Sequence, residues 1–260
     1  MQVGDLEIGL ALGAGGARGL AHLGVLDRLR KEELKIDYIA GTSIGSLIGG
    51  VYATGARLKY LKGLAREIDW DSITDVTFPR LGLIKGKKLL SFLEVITKKK
   101  HFSDLDIPFA AVSCDVETGE HVVINEGSVA RAIRASTSIP GVYVPFKHQG
   151  HRLVDGAILD PVPISTVKEM GADVVMAVDL GLEPVESKVS NIIDVLINTF
   201  NIMQTKYDNL RNSNADIIIK PELNGISTFD LKEANQAIEA GYRAADNSME
   251  KIKMFFQEEI

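Results

Sequence analysis

The sequence of 260 residues contains a single cysteine, fewer basic than acidic residues and no long apolar run. With only Cys114 present, an internal disulfide is excluded, as is typical of proteins in a reducing compartment. No stretch reaches the roughly 18 apolar residues that a membrane-spanning helix needs, and the N-terminus lacks the pattern of an export signal. The net charge of −6 argues against a nucleic-acid-binding protein. We therefore expect a cytoplasmic protein without a nucleic-acid partner.

Recognisable metal-binding patterns are also missing. The sequence has no His-x-x-x-His pair, no cysteine cluster and no acidic loop of the calcium-binding form. We expect neither a metal nor a cofactor.

Apolar runs alternate with amphipathic segments over most of the chain. Strands are predicted near residues 6–12, 36–40, 108–115, 120–125, 173–179 and 215–220. Helices are predicted near residues 19–31, 44–54, 57–68, 86–98, 128–135, 160–170, 189–209 and 229–256. This alternation favours an α/β fold with a mainly parallel sheet covered on both faces. We expect one domain over residues 1–260, with a core at about 6–180 and a C-terminal helical part at about 189–256.

Ser43 lies between Gly41 and Gly45 at a predicted strand-to-helix turn. This is the pattern of a nucleophile elbow, in which the glycines remove side chains that would crowd the turn. The following helix points its unpaired N–H groups toward the same place. A serine presented in this way is suited to attack on a carbonyl carbon, although so short a pattern also occurs by chance in glycine-rich chains.

A glycine-rich loop at residues 13–19 joins the first predicted strand to a helix. A dinucleotide-binding G-x-G-x-x-G loop fails because Arg18 occupies the third glycine position. A phosphate-binding P-loop fails because neither Lys-Ser nor Lys-Thr follows Gly19. The remaining interpretation is an oxyanion hole, in which N–H groups near Gly15 and Gly16 stabilise the charge of a tetrahedral intermediate. Only this interpretation makes use of Ser43.

Asp155 ends a short apolar run and precedes Gly156 and Ala157. An aspartate before a glycine is commonly a turn residue, so its significance depends on the other two motifs.

The histidines bear on the mechanism. The five are His22, His101, His121, His148 and His151. None follows Asp155, so the chain order Ser, Asp, His of an α/β-hydrolase triad cannot be completed with this aspartate. We favour a dyad in which Asp155 takes the proton of Ser43 directly. A triad of Ser43 with Asp115 and a histidine at 148 or 151 stays open.

The motifs, in this order, resemble those of the patatin-like phospholipases. The motifs are the glycine loop (Gly15, Gly16, Ala17, Arg18, Gly19), the elbow (Gly41, Ser43, Gly45) and the run Asp155, Gly156, Ala157. Residues 130–145 also look like the segment that such proteins carry before the aspartate. The resemblance spans most of residues 7–180. In size and compactness, the chain is most similar to the small bacterial members of the family.

The resemblance implies a three-layer α/β/α fold and acyl hydrolysis by a Ser–Asp dyad. It makes Ser43 the nucleophile and Asp155 the base, Gly15 and Gly16 the oxyanion donors, and Arg18 a residue that fixes the loop. The family often has glycine where this chain has Ala14. A backbone N–H survives that change, but alanine would be strained if the position required a positive φ. The implied substrate is a lipid or another acyl ester.

Two surface features and one alternative function remain open. Lysines within residues 85–88 and 98–100 flank the predicted helix 86–98. They form either a rim for peripheral contact with an anionic membrane, at its inner surface, or the solvated ends of an ordinary amphipathic helix. Residues 189–203 form an apolar stripe that fits core packing, a lid or the interface of a homo-oligomer. The alternative function is a non-catalytic module that binds an acyl group or a nucleotide.

Overall fold

The structure is a computed structural model that describes residues 6–68, 70–78, 80–181, 195–196, 198–199, 202–203, 214–226 and 233–258. The strands are β1 (Ile8–Leu12), β2 (Tyr38–Thr42), β3 (Gly82–Ile84), β4 (Phe109–Asp115), β5 (His121–Ile124), β6 (Gly141–Tyr143), β7 (Phe146–His148), β8 (His151–Asp155), β9 (Val174–Val178) and β10 (Ile217–Ile219). The helices are α1 (Ala21–Lys31), α2 (Ile44–Ala53), α3 (Leu58–Glu67), α4 (Lys87–Ile96), α5 (Val129–Ser136), α6 (Ile164–Glu169) and α7 (Ala234–Glu258).

Eight of the described strands form one sheet, in the order β10-β9-β1-β2-β4-β8-β7, with β5 also paired to β4. The five strands from β10 to β4 are parallel, whereas β5, β7 and β8 pair in antiparallel fashion. β3 and β6 form a separate two-stranded parallel ribbon. The prediction of an α/β fold with a mainly parallel sheet is therefore confirmed.

The sheet is covered on both faces, and its central strands are almost entirely apolar. Every residue of β1, β4 and β9 is buried, as expected for strands in the middle of a three-layer fold. Alternate residues enter different cores: Leu10 packs in the larger core and Ala11 in the smaller one. The smaller core lies beneath α6, where small side chains let the helix approach closely. A Cβ on Gly9 would lie 2.0 Å from a methyl group of Val167 in α6.

The first and last helices pack backbone to backbone. A Cβ on Gly24 of α1 would lie 1.9 Å from the carbonyl oxygen of Ile238 in α7. A Cβ on Gly241 of α7 would lie equally close, 1.9 Å, to the carbonyl oxygen of Ala21 in α1. These two glycines set the separation of the helices, and α7 thereby supports the helix that follows the glycine loop.

Most predicted elements lie within a few residues of the observed ones, with three differences. Residues 16–20 form a 3-10 turn before α1, and α6 begins at Ile164 because two prolines shape the preceding segment. β3, β6, β7 and β8 were not predicted: the first three have only three residues each and are partly exposed, and the run that forms β8 was interpreted only as a short apolar stretch ending at Asp155. Of the predicted helix 189–209, only the pairs 195–196, 198–199 and 202–203 are described, and they are helical. The rest of that helix lies outside the described residues.

Within the described ranges, no helix combines the length and the apolar character required to cross a membrane.

Candidate active site

Ser43 occupies a sharp turn between β2 and α2. Its φ of 55° and ψ of −122° are unusual for a residue with a side chain, and such strain is common where a side chain must be presented in a fixed direction. The flanking glycines are required sterically. A Cβ on Gly45 would lie 2.0 Å from the carbonyl oxygen of Leu12, and one on Gly41 would lie 2.5 Å from the Gly45 backbone. The glycines thus have the spatial role that the elbow pattern predicts.

The elbow is also stabilised by a hydrogen bond between its backbone and Ser136, the last residue of α5. Its hydroxyl oxygen accepts the N–H of Ser43 at 2.9 Å and donates to the carbonyl oxygen of Val112 in β4 at 2.6 Å. The bond satisfies a buried N–H that the turn leaves without a strand partner. Sequence reasoning noted the segment around Ser136 but gave this residue no role, because its partners lie far away along the chain.

Asp155 reaches Ser43 because two strands meet end to end along one edge of β4. β2 pairs with residues 109–112 of β4 and ends just before Ser43, whereas β8 pairs with residues 113–115 and ends at Asp155. β5 pairs with residues 111–114 and so must occupy the opposite edge. Since β2 is parallel and β8 antiparallel to β4, their C-terminal ends converge on the peptide between Val112 and Ser113.

The carboxylate of Asp155 is buried and accepts two hydrogen bonds, one from the hydroxyl of Ser43 and one from the N–H of Ala157 at 2.9 Å. Burial raises the pKa of Asp155 to about 6, and the two hydrogen bonds only partly oppose this effect. Gly156 is required for the turn, since a Cβ there would lie 2.4 Å from the Val112 carbonyl oxygen. A buried carboxylate with a raised pKa thus lies beside the Ser43 hydroxyl.

The glycine loop adjoins the same site, since Gly16 and Ala17 line a cavity together with Ser43. The N–H of Gly13 donates to Val178, and that of Ala14 donates to Pro161 at 2.8 Å. Among the described residues, no backbone carbonyl accepts from the N–H of Gly15 or Gly16. Gly16 has a φ of 58°, whereas Ala14 is not among the residues with positive φ. The alanine is therefore unstrained, and the next two residues carry the available donors.

Other loop residues fix its position. A Cβ on Gly19 would lie 2.2 Å from a methyl group of Ile44, the first residue of α2. The guanidinium of Arg18 donates to the carbonyl oxygens of Gly181, Leu223 and Ile226. The loop is thus fastened both to the elbow and to the C-terminal part of the sheet.

His22 supports the loop rather than contacting Ser43. Its imidazole is fully buried, and its Nε2 lies 2.7 Å from the carbonyl oxygen of Gly13. Burial lowers the pKa of His22 to about 4, so the ring is neutral at pH 7 and donates this hydrogen bond.

The structure does not bring the downstream histidines to Ser43. His151 bonds through Nδ1 to Asp115 at 2.6 Å, at the opposite end of β8 from Asp155. His151 and Asp155 are four positions apart on an extended strand, which corresponds to roughly 13 Å. His148 pairs with His151 across the β7–β8 turn. The triad left open by the sequence is therefore not assembled.

One group in the described residues has the composition of a metal site. Ligand atoms of Asp115, Glu120 and His151 lie within 4.8 Å of one another. Asp115 already accepts bonds from His151 and from the N–H of Glu117. The group lies at the far end of β8, so no chemistry at Ser43 depends on it.

An apolar cavity of about 300 Å³ opens beside Ser43. Gly16 and Ala17 of the glycine loop line it together with the serine, and Ile139 and Tyr143 close another side. Helices supply the rest of the wall, including Leu23, Ile48, Val51, Leu64, Leu89 and Phe92. The volume is at the lower end of small-molecule sites, and the lining suits a hydrocarbon chain.

Fold and site together define an α/β protein with a nucleophile elbow, a glycine loop and a buried aspartate at one edge of its sheet. Residues 10–168 match the family described as patatin-like phospholipase, which is more than half of the chain. The chain belongs to the patatin-like phospholipase family.

Its relatives by sequence include bacterial and fungal proteins. An uncharacterised NTE family protein of Mycobacterium bovis is 39% identical over 177 residues, which cover 67% of this chain and 49% of the relative. Lysophospholipase NTE1 of Mycosarcoma maydis is 36% identical over 182 residues, 68% of this chain and 10% of the relative. The chain thus spans about half the length of the mycobacterial relative and a tenth of the fungal one.

Solved structures share the fold at low sequence identity. VipD from Legionella pneumophila has a TM-score of 0.70 at 13% identity, over 95% of this chain and 67% of VipD. ExoU from Pseudomonas aeruginosa, solved in complex with SpcU, has a TM-score of 0.53 at 15% identity, over 95% of this chain and 52% of ExoU.

Proposed function

We propose that this protein is a serine acyl hydrolase that cleaves fatty acyl esters of phospholipids or lysophospholipids. The observation that carries the proposal is the hydrogen bond from Ser43 to the buried Asp155 beside an apolar cavity. Family membership and the lysophospholipase name of the fungal relative support a lipid ester as substrate. The ester would be met at a membrane surface in the cytoplasm.

In the first half of the reaction, the Ser43 hydroxyl oxygen attacks the ester carbonyl carbon while its proton passes to Asp155. The oxyanion formed accepts hydrogen bonds from the N–H groups of Gly15 and Gly16, and each such donor contributes about 3 kcal/mol to lowering the barrier. When this tetrahedral intermediate collapses, the ester C–O bond breaks, and Asp155 returns the proton to the departing alkoxide. The acyl group is left on Ser43, with its chain in the cavity.

In the second half, Asp155 takes a proton from water, whose oxygen attacks the acyl carbonyl carbon. The second tetrahedral intermediate expels the Ser43 oxygen, which regains the proton and releases the carboxylic acid. A base with a pKa of about 6 is mostly ionised at pH 7 and still close to that pH, which favours proton transfer in both directions.

Labelling by a fluorophosphonate probe, together with hydrolysis of p-nitrophenyl esters, tests the nucleophile. Wild type should be labelled, and Ser43→Ala should lose both the label and about three orders of magnitude or more in turnover. Ser165→Ala, at an exposed serine of α6 on the other face of the sheet, is the matched control and should behave as wild type. The specificity constant should rise about fourfold per methylene as the acyl chain fills the cavity, since each buried methylene contributes about 0.8 kcal/mol.

Two aspartates test the base. Asp155→Asn should lower turnover by roughly 10²–10⁴-fold, whereas Asp115→Asn, at the other end of β8, should retain most of it. Activity would be compared per folded protein by circular dichroism. Loss of activity in Asp115→Asn or His151→Ala with the fold intact would contradict the dyad and favour a triad. Well-folded wild type that neither labels nor hydrolyses would instead indicate a non-catalytic acyl- or nucleotide-binding module.

A further inference from the structure

An exposed apolar turn projects between α3 and α4. Val76, Phe78 and Leu81 are 79%, 83% and 56% exposed, unusually high for apolar side chains that lie so close together. The backbone beneath them is ordered: Val76 forms a bridge with Ile84, and the N–H of Thr77 donates to Leu83 at 2.8 Å. The side chains are therefore held outward by a hairpin rather than exposed by a frayed end.

The residues that flank the hairpin along the chain form part of the cavity wall. Ile68 before it and Leu89 after it both line the cavity. Within the ribbon, Ile84 of β3 pairs with Tyr143 of β6, which is another lining residue. A surface that contacts the tip of the hairpin is thus close to the cavity beside Ser43.

Basic side chains surround the apolar tip. Residues 74–88, which we call the basic hairpin, contain four basic residues and one acidic residue, for a net charge of +3 in a protein of net charge −6. The basic residues are Arg80, Lys85, Lys87 and Lys88, all exposed. No carboxylate in the described part of the chain forms an ion pair with them. The acidic residue, Asp75, accepts the N–H groups of Gly86 and Lys87 and so holds the start of α4.

A buried arginine joins the basic hairpin to the site. Arg134 of α5 donates to the carbonyl oxygens of Lys85 and Gly86 and, at 2.6 Å, to the hydroxyl of Ser138. The carbonyl oxygen of Ser138 in turn accepts the N–H of Asp155 at 3.0 Å. A continuous series of hydrogen bonds therefore connects the hairpin to Asp155.

We propose that the basic hairpin docks the protein on an anionic lipid surface, with Val76, Phe78 and Leu81 inserted among the acyl chains and the four basic side chains at the headgroups. Charge complementarity and the apolar tip together favour this partner: the positive region is attracted to anionic headgroups, and the exposed apolar side chains can enter the acyl-chain layer beneath them. An apolar tip within a basic rim is the composition of interfacial anchors. The inference rests on the proposed lipid hydrolase, for which docking would bring substrate to the cavity.

Flotation of the full chain with vesicles tests the docking. Wild type should float with vesicles of phosphatidylcholine mixed with phosphatidylglycerol, much less with phosphatidylcholine alone, and less as salt is added. Phe78→Ser should weaken binding about tenfold or more, because burial of its ring is lost. Met254→Ser, at a methionine of α7 that is 58% exposed, is the matched control and should bind as wild type.

The charges are tested in the same assay. Lys87→Gln should weaken binding about fivefold, which corresponds to about 1 kcal/mol per basic residue near an anionic surface. Lys168→Gln, at an exposed lysine of α6 on the opposite face of the sheet, should have no effect. Phe78→Ser should keep the activity of wild type on soluble p-nitrophenyl butyrate, since Phe78 does not line the cavity.

Three outcomes would overturn the proposal. The first is wild-type binding that does not depend on vesicle charge, and the second is equal binding by Phe78→Ser and wild type. The third is a lipid-free dimer, seen by sedimentation velocity, that Phe78→Ser dissociates, because the tip would then be a subunit interface. Failure of the proposed function is distinguishable, since an inactive protein with charge-dependent vesicle binding retains the docking surface and loses only the chemistry.

Discussion

A buried carboxylate without a cation beside it weakens the fold to which it belongs. Among the described residues, only the Ser43 hydroxyl and the Ala157 N–H stabilise the charge of Asp155, and its pKa is raised from the usual 3.8 to about 6. The folded protein therefore binds this proton more tightly than the unfolded chain. The contribution to stability is greatest below about pH 4 and falls by about 3 kcal/mol as the pH rises to about 6 and beyond.

Asp155→Asn should consequently be more stable than wild type at pH 8, by up to about 3 kcal/mol, and this gain should disappear near pH 4. Urea unfolding at the two pH values measures it. Asp115→Asn is expected to show the opposite sign, because hydrogen bonds from the Glu117 N–H and from His151 lower the pKa of Asp115. A gain from Asp155→Asn that did not depend on pH would rule out burial of the charge as its cause.

The activity should also depend on the ionisation of Asp155, but it should rise with pH over the range in which the stability falls. As the base, Asp155 must be ionised, so the specificity constant of wild type is expected to rise with pH through about 6. The profile in soluble p-nitrophenyl butyrate separates this titration from any effect of pH on vesicles. The residue that we propose as the base is thus one that the fold would hold more stably as an amide.

Among the elements, α1 and α7 depend on close contact between their backbones. Gly241→Ala places a methyl group where the Ala21 carbonyl oxygen lies, so the helices must separate. We expect a loss of about 1–3 kcal/mol in the free energy of unfolding, as for overpacked cores. Gly63→Ala is the matched control: it also replaces a helical glycine, in α3, but its new Cβ would meet nothing within 4 Å.

Gly63→Ala should gain up to about 1 kcal/mol, because alanine favours a helix more than glycine does. Opposite signs in urea unfolding would confirm that packing, rather than helix propensity, dominates at Gly241. Equal effects would show that α7 can shift without cost.

Elements whose character is local were predicted from the sequence. β1 and β9 are uniformly apolar, and β4 is apolar from Phe109 to Val112. The glycines around Ser43 and after Asp155 are required by turns that the motifs themselves contain. The patatin-like fold was predicted in the same way, from the order of these motifs.

What the sequence did not show depends on contacts between distant segments. The antiparallel entry of β8, the hydroxyl of Ser136 beneath the Ser43 N–H, and the projection of Phe78 are examples. A strand of three half-exposed residues, such as β7, carries too few apolar positions to be distinguished from a loop. The single-domain boundaries and the helix at 189–209 stay predictions.

At the scale of the whole molecule, the basic residues are concentrated in one segment, and Ser43 and Asp155 lie far apart along the chain. The net acidic character of the chain contrasts with the basic hairpin. Along the sequence, Ser43 comes before the exposed turn that follows β4, and Asp155 comes after it. That turn, residues 116–119, contains Gly119, which has a φ of 77° and so much open space around it that an added Cβ would meet no atom within 4 Å. It is a site at which the chain should tolerate a break, since such loop tips bear few contacts.

Fragments 1–118 and 119–260 should each be inactive, because the first contains Ser43 without Asp155 and the second the reverse. Coexpressed, they should recover p-nitrophenyl ester hydrolysis through the pairing of β4 with β5 and β8. The control is the intact chain with a protease site in the same turn, which should remain active after cleavage. Hydrolysis by either fragment alone would contradict the dyad.

The meeting of β2 and β8 on a single edge of β4 has a consequence for the chain during its synthesis. While the ribosome has delivered only the first half of the chain, Ser43 and the glycine loop exist without Asp155. With Asp155 as the proposed base, we expect ester hydrolysis to begin only after β8 has emerged and paired. A nascent chain should therefore leave intact the lipids that it touches before it is folded.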